Sequence, residues 1–181
     1  MELLGEKGLE ALTVRGIATR ANVAPMGIYN HFEGKMGVYE ALWVDGFDRL
    51  TAAMESSGVS EDPFSDMTNC GKNYRRFALT NRAHYRLMFM DDVHGFEPSP
   101  NAALASGRAL ETLIERVENA QRARILPAQR SIDLAQSIWA TVHGYVSLEL
   151  LRVNFATDPD RTYDELLTAV LTGYQSRVPS L

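Results

Sequence analysis

The stretch Asn22-Val23-Ala24-Pro25-Met26-Gly27-Ile28-Tyr29-Asn30-His31-Phe32, "NVAPMGIYNHF", decides the reading of the chain. It lies between two segments with helical apolar spacing. Before it, Thr13 is a good N-cap, because its hydroxyl can accept an orphan backbone N–H. Behind Thr13, the residues Val14, Ile17, Ala18 and Ala21 share one helix face. Asn22-Val23 reads as a tight turn, with Val23 pointing into a small core. Pro25 suits the first turn of the next helix, where a missing N–H does no harm. That helix buries Ile28 and Phe32. Two short helices joined by a three- or four-residue turn form a helix-turn-helix, with Ala18 small where the helices cross.

The second helix carries a glycine, Gly27, at a cost of about 1 kcal/mol relative to alanine. It turns Pro25, Met26, Gly27, Tyr29 and Asn30 outward. A major groove admits one α-helix, and side chains near its N-terminus read base edges. Gly27 permits close backbone approach. Tyr29 and His31 can donate to phosphate oxygens, and Lys35 can pair with one. The start of the preceding helix, at Thr13, offers a hydroxyl and N–H groups to the same backbone. Between Thr13 and Lys35 three positive residues (Arg15, Arg20, Lys35) face one negative (Glu33), a net of +2 in a chain whose total is −5. The contrast of sign points to a surface that meets a polyanion.

The 181 residues, 45% apolar, fit one compact unit or a small domain plus a larger one. The acidic balance excludes a wholly basic nucleic-acid coat. A single cysteine, Cys70, rules out a disulfide framework within the chain and fits a reducing cytoplasm. No apolar run approaches the roughly 18 residues of a membrane span, and the first residues lack a signal-peptide layout. No repeat or low-complexity tract occurs.

Strand-like alternation is missing while i, i+3, i+4 spacing recurs, which predicts an all-α fold of about nine helices. Glu2–Lys7 reads as the end of a first helix, stopped near Gly8. The next two are the helices just described. Further helices are expected over 35–56, 64–82, 84–90, 100–123, 131–153 and 162–176, with loops at 56–63 and 91–98. A three-helix head thus precedes a helical bundle. The expected division is a DNA-binding domain over 1–48, its first helix truncated, and an effector-binding and dimerisation domain over 49–181.

Helix 131–153 is apolar on more than one face. Ile132, Ala135, Trp139, Val142, Val146 and Leu150 make one stripe, and Leu134, Ile138, Tyr145 and Leu148 a second. Ser137, Ala140, Gly144 and Ser147 make a face of small residues. A helix apolar nearly all round is buried on several sides. With 162–176 it is expected to form half of an intersubunit four-helix bundle, hence a homodimer. The alternative is a large monomeric core. The cationic run Lys72, Arg75, Arg76, Arg82, Arg86 reads as a solvated, ion-paired face. Asp91, Asp92 and His94 give only weak support for a metal, and no cofactor or metal is expected. No Ser or Cys nucleophile has a His and a carboxylate placed beside it, so no catalytic residue is assigned.

Positions 8–42, "GLEALTVRGIATRANVAPMGIYNHFEGKMGVYEAL", resemble the TetR family of transcriptional regulators. Gly8, Thr13, Val14, Ile17, Ala18, Val23, Ile28, Tyr29, His31, Phe32 and Lys35 carry that resemblance. Less specifically, "NRAHYRLMF" (81–89) and "WATVHGYVSLEL" (139–150) resemble a subgroup with a Trp-x-x-x-His-Gly signature, met by Trp139, His143 and Gly144. Ala24 and Gly27 depart from the family pattern by lacking hydroxyls.

The resemblance implies a ligand-responsive, DNA-binding regulator, a repressor released by a small molecule. It implies a pseudo-palindromic double-stranded operator, a homodimer through 131–153 and 162–176, and no chemistry. The expected DNA contacts are Thr13, Val14, Arg15, Ala24, Pro25, Met26, Gly27, Tyr29, Asn30, His31 and Lys35. The expected lining of a cavity for an apolar or aromatic effector is Tyr74, Phe77, Met88, Phe89, Trp139 and His143. At those positions plain core packing, and for His143 a histidine satisfied by a neighbour, is the competing reading. Two alternatives stand beside the repressor: an all-α small-molecule binding protein or enzyme with a vestigial head, and an activator of the same fold.

Overall fold

The computed structural model describes residues 12–32, 34–91 and 93–179. The expected first helix and Gly8 lie outside the described residues, as do Glu33 and Asp92. Among the described residues the protein is all-helical, with eight helices. They are α1 (Val14–Ala21), α2 (Pro25–Phe32), α3 (Lys35–Glu55), α4 (Pro63–Thr80), α5 (Arg82–Phe89), α6 (Pro100–Arg122), α7 (Ser131–Leu150) and α8 (Pro159–Gln175). None is long and apolar enough to cross a membrane.

The chain divides into two compact units. One comprises the residues up to Arg49 together with Asn81–Gly107; the other comprises Leu50–Thr80 together with the residues from Arg108 onward. The division therefore falls within α3.

In the first unit, α1 and α2 pack through a cluster of Ala18, Ile28 and Val38, flanked by Val14, Ile17, Phe32 and Leu42. A second cluster, Leu12, Tyr39 and Leu87, gathers Trp43, Ala83, Val93 and Phe96 around it. The buried Tyr39 hydroxyl donates to the Leu87 carbonyl at 2.8 Å, and its ring meets Phe96 edge-on at 4.4 Å. The head is thus closed by residues some fifty positions further along the chain. The turn into α3 is tight. Gly34 sits at φ 98°, a region that favours glycine. A Cβ at Gly37 would lie 1.4 Å from the Phe32 carbonyl oxygen, so the backbones of α2 and α3 meet there only because residue 37 has no side chain.

In the second unit, α4 turns Met67, Cys70, Tyr74, Phe77 and Ala78 inward. α7 contributes Leu134, Ala135, Ile138, Val142 and Val146, and α8 contributes Tyr163, Leu167 and Leu171. The Tyr163 hydroxyl donates to the Gly71 carbonyl at 2.8 Å.

The structure corrects several sequence expectations. Val23 is 48% exposed, not turned into the core. Its N–H instead bonds the Ala18 carbonyl behind a left-handed Asn22, which aims the side chain outward. α7 ends at Leu150 rather than at 153, because the chain turns through a left-handed Arg152. α8 starts at Pro159, capped by the Asp158 carboxylate on the Arg161 N–H. The two expected stripes of α7 are not both buried, since Ile132 and Leu148 face outward. Arg75 does not belong to a solvated face. Its guanidinium holds Glu149 through two bonds of 2.7 and 2.8 Å, with side-chain exposures of only 13% and 10%.

Candidate nucleic-acid interface and effector site

The head presents the helix-turn-helix as local chemistry dictates. The Thr13 hydroxyl accepts the Gly16 N–H at 3.0 Å and starts α1. Asn22, at φ 53° and ψ 46°, ends it, with its N–H on the last-turn carbonyls. Pro25 then opens α2. Of the eight residues of α2 only Ile28 is fully buried, so the helix is held by that one anchor with Phe32 packed beside it. The rest of its surface is available. Met26 is 66% exposed and Tyr29 55%.

Of the expected contacts, Thr13, Arg15, Ala24, Pro25, Met26, Gly27, Tyr29, Asn30 and His31 are exposed, and Lys35 is partly so. Val14 differs: it is half-buried against the Ala18, Ile28 and Val38 cluster and serves the head's core. A Cβ at Gly27 would meet nothing within 4 Å, so the glycine leaves open space on the outer face. The Tyr29 ring lies over Gly34, about 3.5 Å from where a Cβ would stand. His31 rests edge-on against Phe32 at 4.5 Å.

The electrostatics favour an anion. α1, α2 and α3 carry no acidic residue in their first turns, whereas α4, α7 and α8 carry Asp66, Asp133 and Asp160 there. A helix N-terminus holds a partial positive charge and favours anions. In the second unit the protein's own carboxylates occupy that position. Among the described residues of the head, the first turns of α1, α2 and α3 leave it open, and Lys35, at the start of α3, adds charge of the same sign.

The expected effector residues divide between the units. Met88 and Phe89 belong to the first, where the Phe89 ring contacts Tyr85 at 4.8 Å and Phe47 at 5.4 Å. Tyr74, Phe77, Trp139 and His143 belong to the second. There Trp139 Nε1 donates to Tyr74 Oη at 3.1 Å, and Tyr74 Oη lies 2.9 Å from His143 Nδ1. The Trp139 and His143 rings of α7 meet edge-on at 5.6 Å. His143 is thus engaged by a tyrosine one helix away, and burial pushes its pKa down.

Two polar features of this unit were not anticipated. One is the Arg75–Glu149 pair. The other is Arg116, a buried cation on the apolar stripe of α6. The second was legible, since Ala102, Ala105, Ala109, Leu113 and Ala120 set a helical stripe that Arg116 interrupts. Among the described residues, no three His, Cys, Asp or Glu side chains are grouped so as to hold a metal ion.

Residues 1–42 match the model of the "Bacterial regulatory proteins, tetR family", and residues 67–170 that of the "Tetracyclin repressor-like, C-terminal domain". The chain belongs to the TetR family. TetR-family proteins are DNA-binding transcriptional regulators, and this chain is one of them. It is 20% identical over 177 residues to the HTH-type transcriptional regulator Rv0681 of Mycobacterium tuberculosis, covering 98% of this chain and 78% of that protein. Its fold is similar to that of a Rhodococcus sp. RHA1 protein of unknown function, with a TM-score of 0.82, 23% identity, and coverage of 99% of this chain and 91% of that one. It is also similar to a TetR variant of Acinetobacter baumannii AYE in complex with minocycline. There the TM-score is 0.67, the identity 22%, and the coverage 99% of this chain and 93% of that one.

Proposed function

We propose that this regulator is a homodimeric repressor that binds a pseudo-palindromic operator through α2 and is released by a small apolar or aromatic effector held in the second unit. The observation that carries the reading is the outward face of α2, where Met26, Tyr29, Asn30 and His31 stand exposed and where, among the described residues, the first turns of α1, α2 and α3 hold no acidic residue. In this scheme residues 1–48 supply the DNA-binding head, and 49–181 supply effector binding and dimerisation. Pro25, Met26 and Asn30 read bases. Thr13, Arg15, Tyr29, His31 and Lys35 hold phosphates, and the close backbone at Ala24 and Gly27 lets α2 enter the groove.

The dimer is proposed through the outer faces of α7 and α8. Ser137, Ala140 and Gly144 are exposed and small, a Cβ at Gly144 or Gly173 would meet nothing within 4 Å, and Ile132, Leu148 and Leu151 are apolar and outward. Small residues let two helices approach closely, and apolar neighbours supply the burial that holds them. The effector is proposed to sit against Tyr74, Phe77, Trp139 and His143. The minocycline complex of the Acinetobacter protein supports a small-molecule effector in this fold.

The experiment is fluorescence anisotropy of labelled duplexes from the DNA flanking the gene, titrated over a range of salt. Specific binding is expected, with log K falling linearly against log salt as counterions leave the phosphates. Equal affinity for flanking and unrelated duplexes would overturn the reading.

A further inference from the structure

Arg116 lies on α6 with 5% of its surface exposed. Its Nη1 is fully buried and has no hydrogen-bond partner, and among the described residues the side chain makes no ion pair. The usual rescuers are missing. On a helix, partners sit three or four residues away, and here those positions hold Thr112, Leu113, Asn119 and Ala120, none of them acidic. The Cys70 thiol is near enough to feel the charge, but burial pushes its pKa up to about 11, so it stands as a neutral S–H. Two carboxylates of the same unit, Asp66 and Glu55, bond to hydroxyl and N–H groups instead. Asp66 accepts the Ser60 N–H at 2.9 Å and the Ser60 hydroxyl at 2.8 Å. Glu55 accepts the Thr112 hydroxyl at 3.3 Å.

A guanidinium cannot shed its proton to escape burial, and an uncompensated buried charge is among the costliest features of a protein interior. We infer that Arg116 is the anchor of the effector site and that the effector is a monocarboxylate with an apolar body. The inference rests on the effector-binding reading above and adds the ligand's charge to it.

Three features select that class. The planar fork of Arg matches a carboxylate with two parallel bonds. Glu55 reaches α6 one turn before Arg116, through Thr112, so a dianion such as a phosphate would meet one cation and a nearby carboxylate. The apolar body follows from α4. Cys70, which feels the charge of the guanidinium, is followed on the same face by Tyr74 one turn on and Phe77 two turns on, all buried. One turn of helix is about 5.4 Å. A chain or ring anchored at Arg116 therefore runs toward Tyr74 and the Trp139–His143 pair bonded to it.

The test uses the full chain without DNA. Thermal unfolding and intrinsic tryptophan fluorescence are followed against sodium octanoate, dodecanoate and benzoate, with their methyl esters and with sodium chloride and inorganic phosphate as controls. At least one acid is expected to bind about tenfold or more tighter than its ester, the scale of a charge-assisted hydrogen bond. Arg116→Met should abolish the acid's advantage, and its Tm without ligand should equal or exceed that of wild type, because an unpaired buried charge has gone. Arg116→Lys should keep a reduced preference for the acid, and it stands in should the Met variant fail to fold.

Equal binding of acid and ester overturns the inference. So does acid binding that survives in Arg116→Met, or stabilisation by chloride or phosphate as strong as by the acids. Operator binding is measured separately. A chain that binds acids and no operator refutes the repressor reading alone, and one that binds operator and no acid refutes this inference alone.

Discussion

Replacing Arg75 with methionine should destabilise the second unit more than any surface substitution. Its guanidinium holds Glu149 with Nε and Nη2 at 2.7 and 2.8 Å, meets Asp160 at 2.7 Å, and lies 5.1 Å from the Tyr163 ring centre. Glu149 stands near the C-terminus of α7, where the helix end is itself negative and disfavours a carboxylate. Asp160 stands in the first turn of α8, where a carboxylate is welcome. Arg75 of α4 therefore ties together the end of one helix and the start of the next.

Asp160 is 87% exposed, so its share is that of a surface pair, about 0–1 kcal/mol. Glu149 is 10% exposed, and removing its partner strands a buried carboxylate at about 3–5 kcal/mol. For a chain of this size each 1 kcal/mol moves Tm by about 2–4 °C, so Arg75→Met should lower it by about 6–20 °C. The double variant Arg75→Met/Glu149→Leu should recover most of that loss, because two apolar side chains of similar volume replace the pair without a stranded charge. Denaturant and thermal unfolding at one fixed protein concentration measure all four corners of the cycle. A single variant costing under about 1 kcal/mol would refute the reasoning. So would a double variant no better than the singles, since the loss would then be one of packing.

Lys35→Ala should weaken binding to every duplex about equally and reduce the slope of log K against log salt by about 1, one phosphate contact; anisotropy at several salt concentrations checks it, and an unchanged slope counts against the docking. Ala140→Arg places a charge on the exposed small face of α7 and should turn a dimer into a folded monomer, seen as a halved mass in light scattering with unchanged circular dichroism. Burial pushes the His143 pKa below its ordinary value near 6.5, so the unfolded chain binds more protons than the fold. Stability should therefore be full above about pH 6.5 and fall as the pH drops through that value. His143→Gln should flatten part of this Tm profile between about pH 7 and 5, with His84, also pushed down by burial, supplying the rest; a profile unchanged by the substitution would show that His143 is not the source.

The head was legible because its determinants are local. A cap at Thr13, a proline at 25 and apolar spacing define α1 and α2 without reference to the rest of the chain. Its closure was not legible. The Tyr39 hydroxyl finds the Leu87 carbonyl 48 residues away, and nothing in the pattern around either residue names the other. Helix ends failed where a single backbone torsion decides them, as at Arg152 with φ 60°. The start of α8 was readable and missed, for Asp158-Pro159 repeats the cap-then-proline signal that Ser99-Pro100 gives for α6. Of the proposed effector site, the sequence pattern named aromatic candidates and did not name the charge. Apolar spacing identifies a stripe by its majority, and Arg116 is the charged residue that breaks it.

That exception gains its meaning from the polar groups around it. In the second unit Asp66 is held by Ser60, Asn73 donates to Ser56 and accepts from Arg76, and Glu149 is held by Arg75. Tyr74 closes a chain from Trp139 to His143. Interiors satisfy their polar groups because each one left over costs about 1–3 kcal/mol, and a charge more. A unit that paired its polar groups poorly throughout would show several such losses, of modest size. Here, among the described residues of the unit, two buried groups are left open, the Asn154 amide nitrogen and Arg116, and Arg116, the charged one, is the most costly. A regulator released by a ligand needs an interior that is better completed with the ligand than without it, since only a difference in affinity between two states can shift their balance. An arginine whose partner is missing supplies that difference at a defined place, whereas the closed Tyr74 chain, already satisfied, gives a ligand far less to gain.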